Sequence, residues 1–161
     1  MRSTILLVTG IAALLALGAC NGGPSEVVVA PTELPLPEGA LENGVMTRRV
    51  GVLRHYGDSL LFEAPSRAAV GVPIEVHVTT YGGGCLGQDT TVANVNGLRA
   101  TVVPYQRAPV DPNVACTMEL VLQRRLVRVT FQSAGSATLR VIGRDEPASR
   151  LFAVERRIEV R

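Results

Sequence analysis

Short segments in which apolar and polar residues alternate recur at close intervals from Arg48 to the end of the chain. The clearest of them is 74–81, in which Ile74, Val76 and Val78 alternate with polar residues. This period of two places successive side chains on opposite faces of a β-strand. Further segments of this type occupy 50–56, 60–62, 90–95, 98–105, 126–132, 137–143 and 150–161. Gly and Pro separate them and no amphipathic helix of useful length appears, so the pattern predicts an all-β domain of about seven to nine short strands.

One turn is predicted by its own two residues. Asn96 and Gly97 separate the segments 90–95 and 98–105, and both residue types tolerate positive φ, which favours a tight β-hairpin. Residues 117–123 are compatible with either a strand or a short helix, and the sequence leaves that choice open.

The first twenty residues have the form of an export signal. Arg2 precedes an apolar run from Ile5 to Leu17, which small residues and Cys20 follow. The sequence Leu17-Gly18-Ala19-Cys20 resembles the lipobox of bacterial lipoproteins. The resemblance implies that residues 1–19 form a lipoprotein signal peptide and that Cys20 becomes an acylated N-terminus, carrying diacylglycerol and a further acyl group such as palmitate. It places the protein on the cell envelope, and Asn21 in place of Asp favours the outer membrane if the cell has two membranes.

Residues 20–47 form the predicted anchor and tether. Residues 21–47 contain four prolines, several glycines and four glutamates, and they contain no basic residue or periodic apolar face. Such a composition favours a flexible acidic tether that spans about 30 Å as a coil. The β-domain is therefore predicted to cover residues 48–161.

Three cysteines make an odd count, and an acylated Cys20 would leave Cys85 and Cys116 as a pair. Alternating strand directions bring these two residues to the same end of the domain. A disulfide between them is expected in an oxidising compartment. It would close a loop of about 32 residues and stabilise the fold by roughly 3.7 kcal/mol in the chain-entropy model.

The glycines at 82–84 directly precede Cys85 and admit two interpretations. They could keep backbone open for a ligand, or they could supply positive φ angles in a turn beside the disulfide, and the second is favoured. The disulfide-linked end is the first candidate binding surface, because loops on a rigid scaffold often carry recognition. Exposed strand faces with Tyr81, Tyr105 and Arg99 are a second candidate. The selected binding residues are Tyr81, Gln88, Asp89, Arg107, Asp111 and Arg144.

Other functions find little support in the sequence. The formal net charge of +2 is too balanced to favour nucleic acid as a partner. His55 and His77 are isolated, and no spacing typical of a metal site accompanies them, so no metal or cofactor is predicted. His55, Asp58 and Ser59 lie within one turn and do not form a predicted catalytic triad, so we expect no catalytic residues and no enzyme activity.

The glycine- and proline-punctuated lead into a valine-rich strand, followed by Phe131-x-x-x-Gly135-x-Ala137-x-Leu139-x-Val141, resembles bacterial immunoglobulin-like domains. The resemblance covers roughly residues 60–161 and implies an antiparallel β-sandwich with a structural role or a binding role. The expected function is therefore a lipid-anchored binding or structural module of the cell envelope, with an envelope or extracellular protein as its partner. The alternatives are an extracellular protease inhibitor and a small enzyme or accessory protein that acts through the disulfide-linked end. The oligomeric state is not predicted.

Overall fold

The computed structural model describes residues 25–28, 34–41, 44–55, 62–146 and 148–161. Within these ranges the chain forms twelve strands and no helix, which confirms the predicted all-β class. The strands are β1 Ser25–Val28, β2 Gly39–Ala40, β3 Met46–Val50, β4 Val52–His55, β5 Phe62–Glu63, β6 Arg67–Ala68, β7 Ile74–Gly82, β8 Gly87–Asn96, β9 Arg99–Pro109, β10 Val121–Val129, β11 Gly135–Glu146 and β12 Arg150–Val160. The signal peptide, Cys20, and the turn containing Asp58 and Ser59 lie outside the described residues.

All twelve strands belong to one curled sheet that forms a half-barrel. Its main path runs β10-β7-β4-β11-β9-β3-β2, with β8 beside β9 and β12 beside β11. Three pairs are parallel: β11 with β9, β11 with β4, and β12 with β6. The expectation of seven to nine strands in a purely antiparallel arrangement is therefore wrong, because both the strand number and the pairing differ.

Gly51 is the single residue between β3 and β4, which pair with different strands of the sheet. β3 pairs with the end of β9, and β4 lies between β7 and β11. The Gly51 N–H donates to the Pro104 carbonyl at 2.8 Å, and the Gly51 carbonyl accepts from the Arg144 N–H at 3.0 Å. A Cβ at Gly51 would lie 2.9 Å from Cγ2 of Thr80, so the close approach of the strands favours glycine there. One continuous segment thus pairs with both β9 and β7.

The hairpin and the apolar faces follow the sequence pattern. Gly97 has a φ of 58°, and Asn96 pairs with Arg99, as expected for a tight turn. β10 begins at Val121, so residues 117–120 are irregular and the remainder of the ambiguous segment is strand. The inner face of the half-barrel carries the larger hydrophobic cluster, whose fully buried members include Val76, Val78, Ala100, Val102, Phe131, Ala137, Leu139, Val141, Phe152 and Ile158.

A second, smaller cluster lies on the outer face of the sheet. It consists of Val50, Val103, Tyr105, Ile142, Leu151 and Ala153. Leu34 and Leu36 pack against it, so part of the segment predicted as a tether lies on the domain, whose sheet begins before residue 48. The Tyr105 hydroxyl fixes this contact by donating to the Leu36 carbonyl at 2.8 Å and accepting from the Leu36 N–H at 3.1 Å. This contact joins positions 69 residues apart, which local sequence patterns do not reveal.

The buried Tyr105 phenol predicts a loss of stability at alkaline pH. Burial raises the pKa of Tyr105 above its ordinary value, chiefly because the phenolate would be desolvated. In the unfolded chain the phenol ionises near pH 10, whereas in the folded chain it remains protonated to higher pH. The protonated phenol of Tyr105 therefore contributes to the free energy of unfolding below the unfolded-state pKa. This contribution is lost as the pH rises through the folded-state pKa.

The test compares urea unfolding of the wild type and Tyr105→Phe between neutral pH and about pH 11, a range chosen to span the phenol pKa. The difference in the free energy of unfolding between the two proteins should shrink above about pH 10. A constant difference across this range would contradict the assignment, because Tyr81 and the other ionisable groups are common to both proteins.

Arg125 on β10 connects β10 to β8. These two strands are in contact but do not pair through backbone hydrogen bonds. The Arg125 side chain is buried, and Nη1 donates to the Asp89 carbonyl at 3.2 Å and to Oγ1 of Thr91 at 3.4 Å. Burial lowers the pKa of Arg125, and the nearby Asp89 carboxylate opposes that shift. The guanidinium therefore holds the two edges of the half-barrel together.

Candidate binding site at the disulfide-linked end

The predicted disulfide is present between Cys85 and Cys116, with an S–S distance of 2.01 Å and a Cα–Cα distance of 5.3 Å. Cys85 lies in the turn between β7 and β8, where Gly83 and Leu86 exchange two backbone hydrogen bonds of 2.9 and 3.3 Å. Cys116 lies in the irregular segment 110–120 between β9 and β10. The bond therefore joins the two loops at one end of the half-barrel.

The glycines before Cys85 make close backbone contacts on one side, and Gly83 and Gly84 also line a crevice beside the disulfide. Gly83 and Gly84 have φ values of 111° and 59°, which favour glycine. A Cβ at Gly83 would lie 2.1 Å from the Glu119 carbonyl oxygen, and one at Gly84 would lie 2.5 Å from that of Thr117. These contacts support the second interpretation, in which the glycines shape a turn and admit residues 116–119 beside the disulfide. The first interpretation stays open, because Gly83 and Gly84 also line the crevice.

A crevice of about 430 Å³ lies next to this joint. Its apolar walls are formed by Leu86, Ala108, Pro109, Pro112 and Val114, and its polar lining includes Arg49, Asp111 and Thr117. Cys85 and Cys116 also line the crevice. Apolar walls with a few polar groups are typical of binding sites, since the walls supply affinity and the polar groups fix orientation.

Arg49 and Asp111 give the crevice its charged groups. Nη2 of Arg49 contacts Oε1 of Glu146 at 2.8 Å, whereas its buried Nε has no hydrogen-bond partner among the described residues. Oδ1 of Asp111 accepts from the backbone N–H of Asn113 at 2.8 Å and thereby holds the turn at 111–113. The second carboxylate oxygen of Asp111 has no hydrogen bond within the described ranges. The crevice can therefore offer the second carboxylate oxygen of Asp111 as an acceptor, whereas the Nε of Arg49 is buried away from a ligand.

The six selected residues do not form one surface. Asp111 alone lines the crevice, whereas Gln88, Asp89 and Arg107 lie on the β8–β9 pair. Nε of Arg107 donates to the Gln88 carbonyl at 3.0 Å, and Asp89 forms a 2.6 Å ion pair with Arg48. Within the described structure these contacts connect β8 to β9 and to β3.

The tyrosines differ from the expectation of exposed strand faces. Tyr81 is 7% exposed and Tyr105 is fully buried, so the prediction that they lie on exposed faces is wrong. Tyr81 pairs with both Val52 and Leu122, and its carbonyl accepts from Nε2 of Gln106. Leu34 and Leu36 cover Tyr105 on the outer face, a contact that alternation alone does not reveal.

Arg144, the remaining selected residue, holds the N-terminal segment against the domain. Its Nη2 contacts both carboxylate oxygens of Glu38 at 2.5 and 2.7 Å, and Nη1 donates to the Ser149 carbonyl at 2.7 Å. Glu38 also accepts from the Val50 N–H at 2.6 Å. This charge-assisted pair joins positions 106 residues apart.

Glu38→Gln should therefore release residues 34–41 and lower the free energy of unfolding by about 1–2 kcal/mol, because it removes a charge-assisted pair that is partly screened by solvent. Hydrogen exchange at residues 34–41 should accelerate, while exchange at the inner cluster should follow only the global change. Glu63→Gln is the matched control, since Glu63 forms a highly exposed pair with Arg124. Equal effects of the two substitutions would contradict a specific role for Glu38.

Arg49, Leu86 and Val114 line the crevice but were not selected from the sequence. Arg49 stands at the predicted junction of tether and domain, and its pairing with Gln106 across β3 and β9 is long-range. The segment 108–114, which contains Pro109 and Pro112, predicts a structured loop, but it does not indicate which strand faces that loop.

His77 lies apart from this crevice. His77 lines a separate shallow pocket of about 190 Å³ with Glu63 and Glu75. Among the described residues, no group of three or more His, Cys, Asp or Glu side chains could hold a metal ion. The part of the chain that the structure covers also contains no helix long and apolar enough to cross a membrane.

No protein-family model matches the chain, and no curated protein or solved structure matches it significantly.

Proposed function

We propose that this protein is a lipid-anchored binding module of the cell envelope and that it contacts its partner through the crevice beside the disulfide. Cys20 carries the lipid, and the outer membrane is the location in a cell with two membranes. The anchor is supported by Leu17-Gly18-Ala19-Cys20 after an apolar leader. The crevice between the two disulfide-linked loops is the observation that supports binding most directly.

The chemistry of the crevice suits a short polypeptide segment of an envelope or extracellular protein. Pro109, Pro112 and Val114 offer apolar contact, and Arg49 and Asp111 offer polar groups of opposite sign. Because the disulfide already restricts both loops, binding would order little additional chain, which favours affinity. We also propose an immunoglobulin-like relationship for the segment 131–141, in support of which Phe131, Ala137, Leu139 and Val141 pack in one buried cluster.

The anchor is tested by the intact mass of the protein purified from the membrane fraction. Acylation at Cys20 and loss of residues 1–19 are expected, and Cys20→Ser should abolish both the added mass and membrane retention. An unacylated mature protein in the wild type would contradict the anchor without affecting the crevice.

The crevice is tested by a photo-crosslinking amino acid placed at Val114, with Val72 as the control position. Both valines are about half exposed, but only Val114 lines the crevice. We expect one discrete adduct in cells from position 114, none from position 72, and loss of the adduct when Arg49→Glu is added. Equal labelling from both positions, or an adduct that Arg49→Glu does not change, would contradict binding at this site.

One observation favours a second candidate, inhibition of an extracellular protease. Met118 is fully exposed on a segment that the disulfide at Cys116 holds in place. A restrained, projecting side chain could occupy a protease pocket at low entropic cost. Inhibition of a panel of extracellular proteases that Met118→Asp removes, while Leu126→Asp on β10 leaves it unchanged, would favour this candidate over the crevice.

A further inference from the structure

The outer face of the sheet continues past the cluster covered by Leu36 into a surface that carries arginines. Two cross-strand rows define it. Thr138 on β11 pairs with Arg99 on β9 and with Arg157 on β12, and two residues along β11, Arg140 pairs with Glu155. We call this surface the arginine face. Its charged members, including the flanking residues at the end of β12, are Arg67, Arg99, Arg140, Arg157, Arg161, Glu155 and Glu159.

This face is strongly biased in charge. Its five arginines and two glutamates give a net charge of +3, whereas the whole chain has a net charge of +2. Arg99 and Arg157 are both exposed and flank Thr138, and neither forms an ion pair among the described residues. Neighbouring strands lie about 4.8 Å apart, so the two like charges begin roughly 10 Å from each other. Neither guanidinium is paired within the described structure and the face keeps a net positive charge, which favours an external anion.

The position of β1 relates this face to the proposed anchor. β1 pairs with β12 on the side away from β11, with Ser25 opposite Glu155 and Val28 opposite Phe152. The strand direction at Ser25 therefore points back toward the end of β12 that carries Arg157 and Arg161. Cys20 lies five residues before Ser25, and five residues span at most about 18 Å. A lipid on Cys20 would thus keep this end of the domain close to the membrane.

We propose that the arginine face binds the anionic phospholipid headgroups of the membrane to which Cys20 attaches the chain. This inference rests on the proposed lipid anchor and adds an orientation to it. With the arginine face toward the lipid, the domain is held flat by charge as well as by the acyl chains. Basic residues near an anionic leaflet attract it over about one Debye length, roughly 10 Å at 0.1 M salt. The acyl chains alone leave the orientation of the domain free.

The test measures charge-dependent binding without the anchor. The chain from residue 20 onward contains every described strand, and Cys20→Ser removes the acylation site. This protein is mixed at low salt with vesicles of phosphatidylcholine alone or of phosphatidylcholine with phosphatidylglycerol. Flotation should recover it with the anionic vesicles only, and high salt should release it. Arg99→Gln with Arg157→Gln should lower the partition coefficient about 10- to 30-fold.

The matched control is Arg124→Gln with Arg128→Gln on β10. It removes the same charge from two exposed arginines that pair with Glu63 and Glu75 on another part of the surface. This variant should bind anionic vesicles nearly as well as the parent protein. Absence of binding to anionic vesicles, equal binding to neutral ones, or equal loss in both double variants would overturn the proposal. Binding to polyglutamate but not to vesicles would also overturn it and would indicate an acidic protein partner. Because Cys20 is absent throughout, these outcomes are independent of the mass measurement that tests the anchor.

Discussion

Replacing Gln106 by alanine should lower the free energy of unfolding by about 3–5 kcal/mol, because two buried backbone groups lose their partners at once. Gln106 is fully buried where β4, β7 and β9 converge. Its Oε1 accepts from the Val52 N–H at 2.9 Å, and its Nε2 donates to the Tyr81 carbonyl at 2.6 Å. β4 and β7 share only the pair Val52 and Tyr81, so the side chain amide supplements a short ladder there. The urea midpoint should fall accordingly, with an unchanged m-value if unfolding remains two-state.

Gln88→Ala provides the matched control for this substitution. Gln88 is the register partner of Gln106 on β8, but its side chain is exposed. Its replacement should change the free energy of unfolding by no more than about 0.5 kcal/mol. A loss below about 1 kcal/mol for Gln106→Ala would show that the junction does not depend on the amide, because other groups or water would then satisfy Val52 and Tyr81.

The sequence predicts the local elements well and the closure of the sheet poorly. The alternation at 137–141 identifies the buried face of β11, because a period of two is a property of the strand itself. The requirement for glycine at position 51 has no comparable local signal. It depends on the approach of Thr80 and Pro104 from other strands. A sandwich and a half-barrel thus share the same local pattern, and long-range contacts distinguish them.

The candidate site divides in the same way. The pairing of Cys85 with Cys116 follows from cysteine number and strand direction, and Asp111 follows from its place in a loop at that end. Arg49 does not follow, because its place at the crevice requires β3 to pair with the end of β9. The binding of Glu38 by Arg144 is equally remote in sequence, so a proline-rich segment without an apolar period appears free although part of it lies on the domain.

Removing the disulfide should have the second large effect. Cys85→Ala with Cys116→Ala should lower the free energy of unfolding by about 3–4 kcal/mol, since the bond closes a loop of about 32 residues in the unfolded chain. A domain of this size has a total stability of roughly 5–15 kcal/mol, so the variant should fold but with much lower stability. Wild type in the presence of a reductant should approach the stability of the variant. An effect below about 1 kcal/mol would indicate that the loops stay together without the bond.

Gly83→Ala tests whether the glycine turn and the disulfide stabilise the fold as one structural unit. The added Cβ would meet the Glu119 carbonyl oxygen at a residue whose φ is 111°, so residues 117–120 must move away from the turn. In the oxidised protein the disulfide at Cys116 resists that movement, and the substitution should cost about 2–4 kcal/mol. In the variant without cysteines the segment can withdraw, and the cost should fall to about 1 kcal/mol because residual strain at the positive φ remains. The double-mutant cycle therefore predicts a coupling energy of about 1–3 kcal/mol.

Gly97→Ala is the control, because Gly97 also has a positive φ but has nothing within 4 Å of the added Cβ, and its cost should not depend on the disulfide. If the costs of Gly83→Ala and of removing the disulfide are additive, the turn and the disulfide act separately. The disulfide would then not hold the turn at Gly83 rigidly beside the crevice.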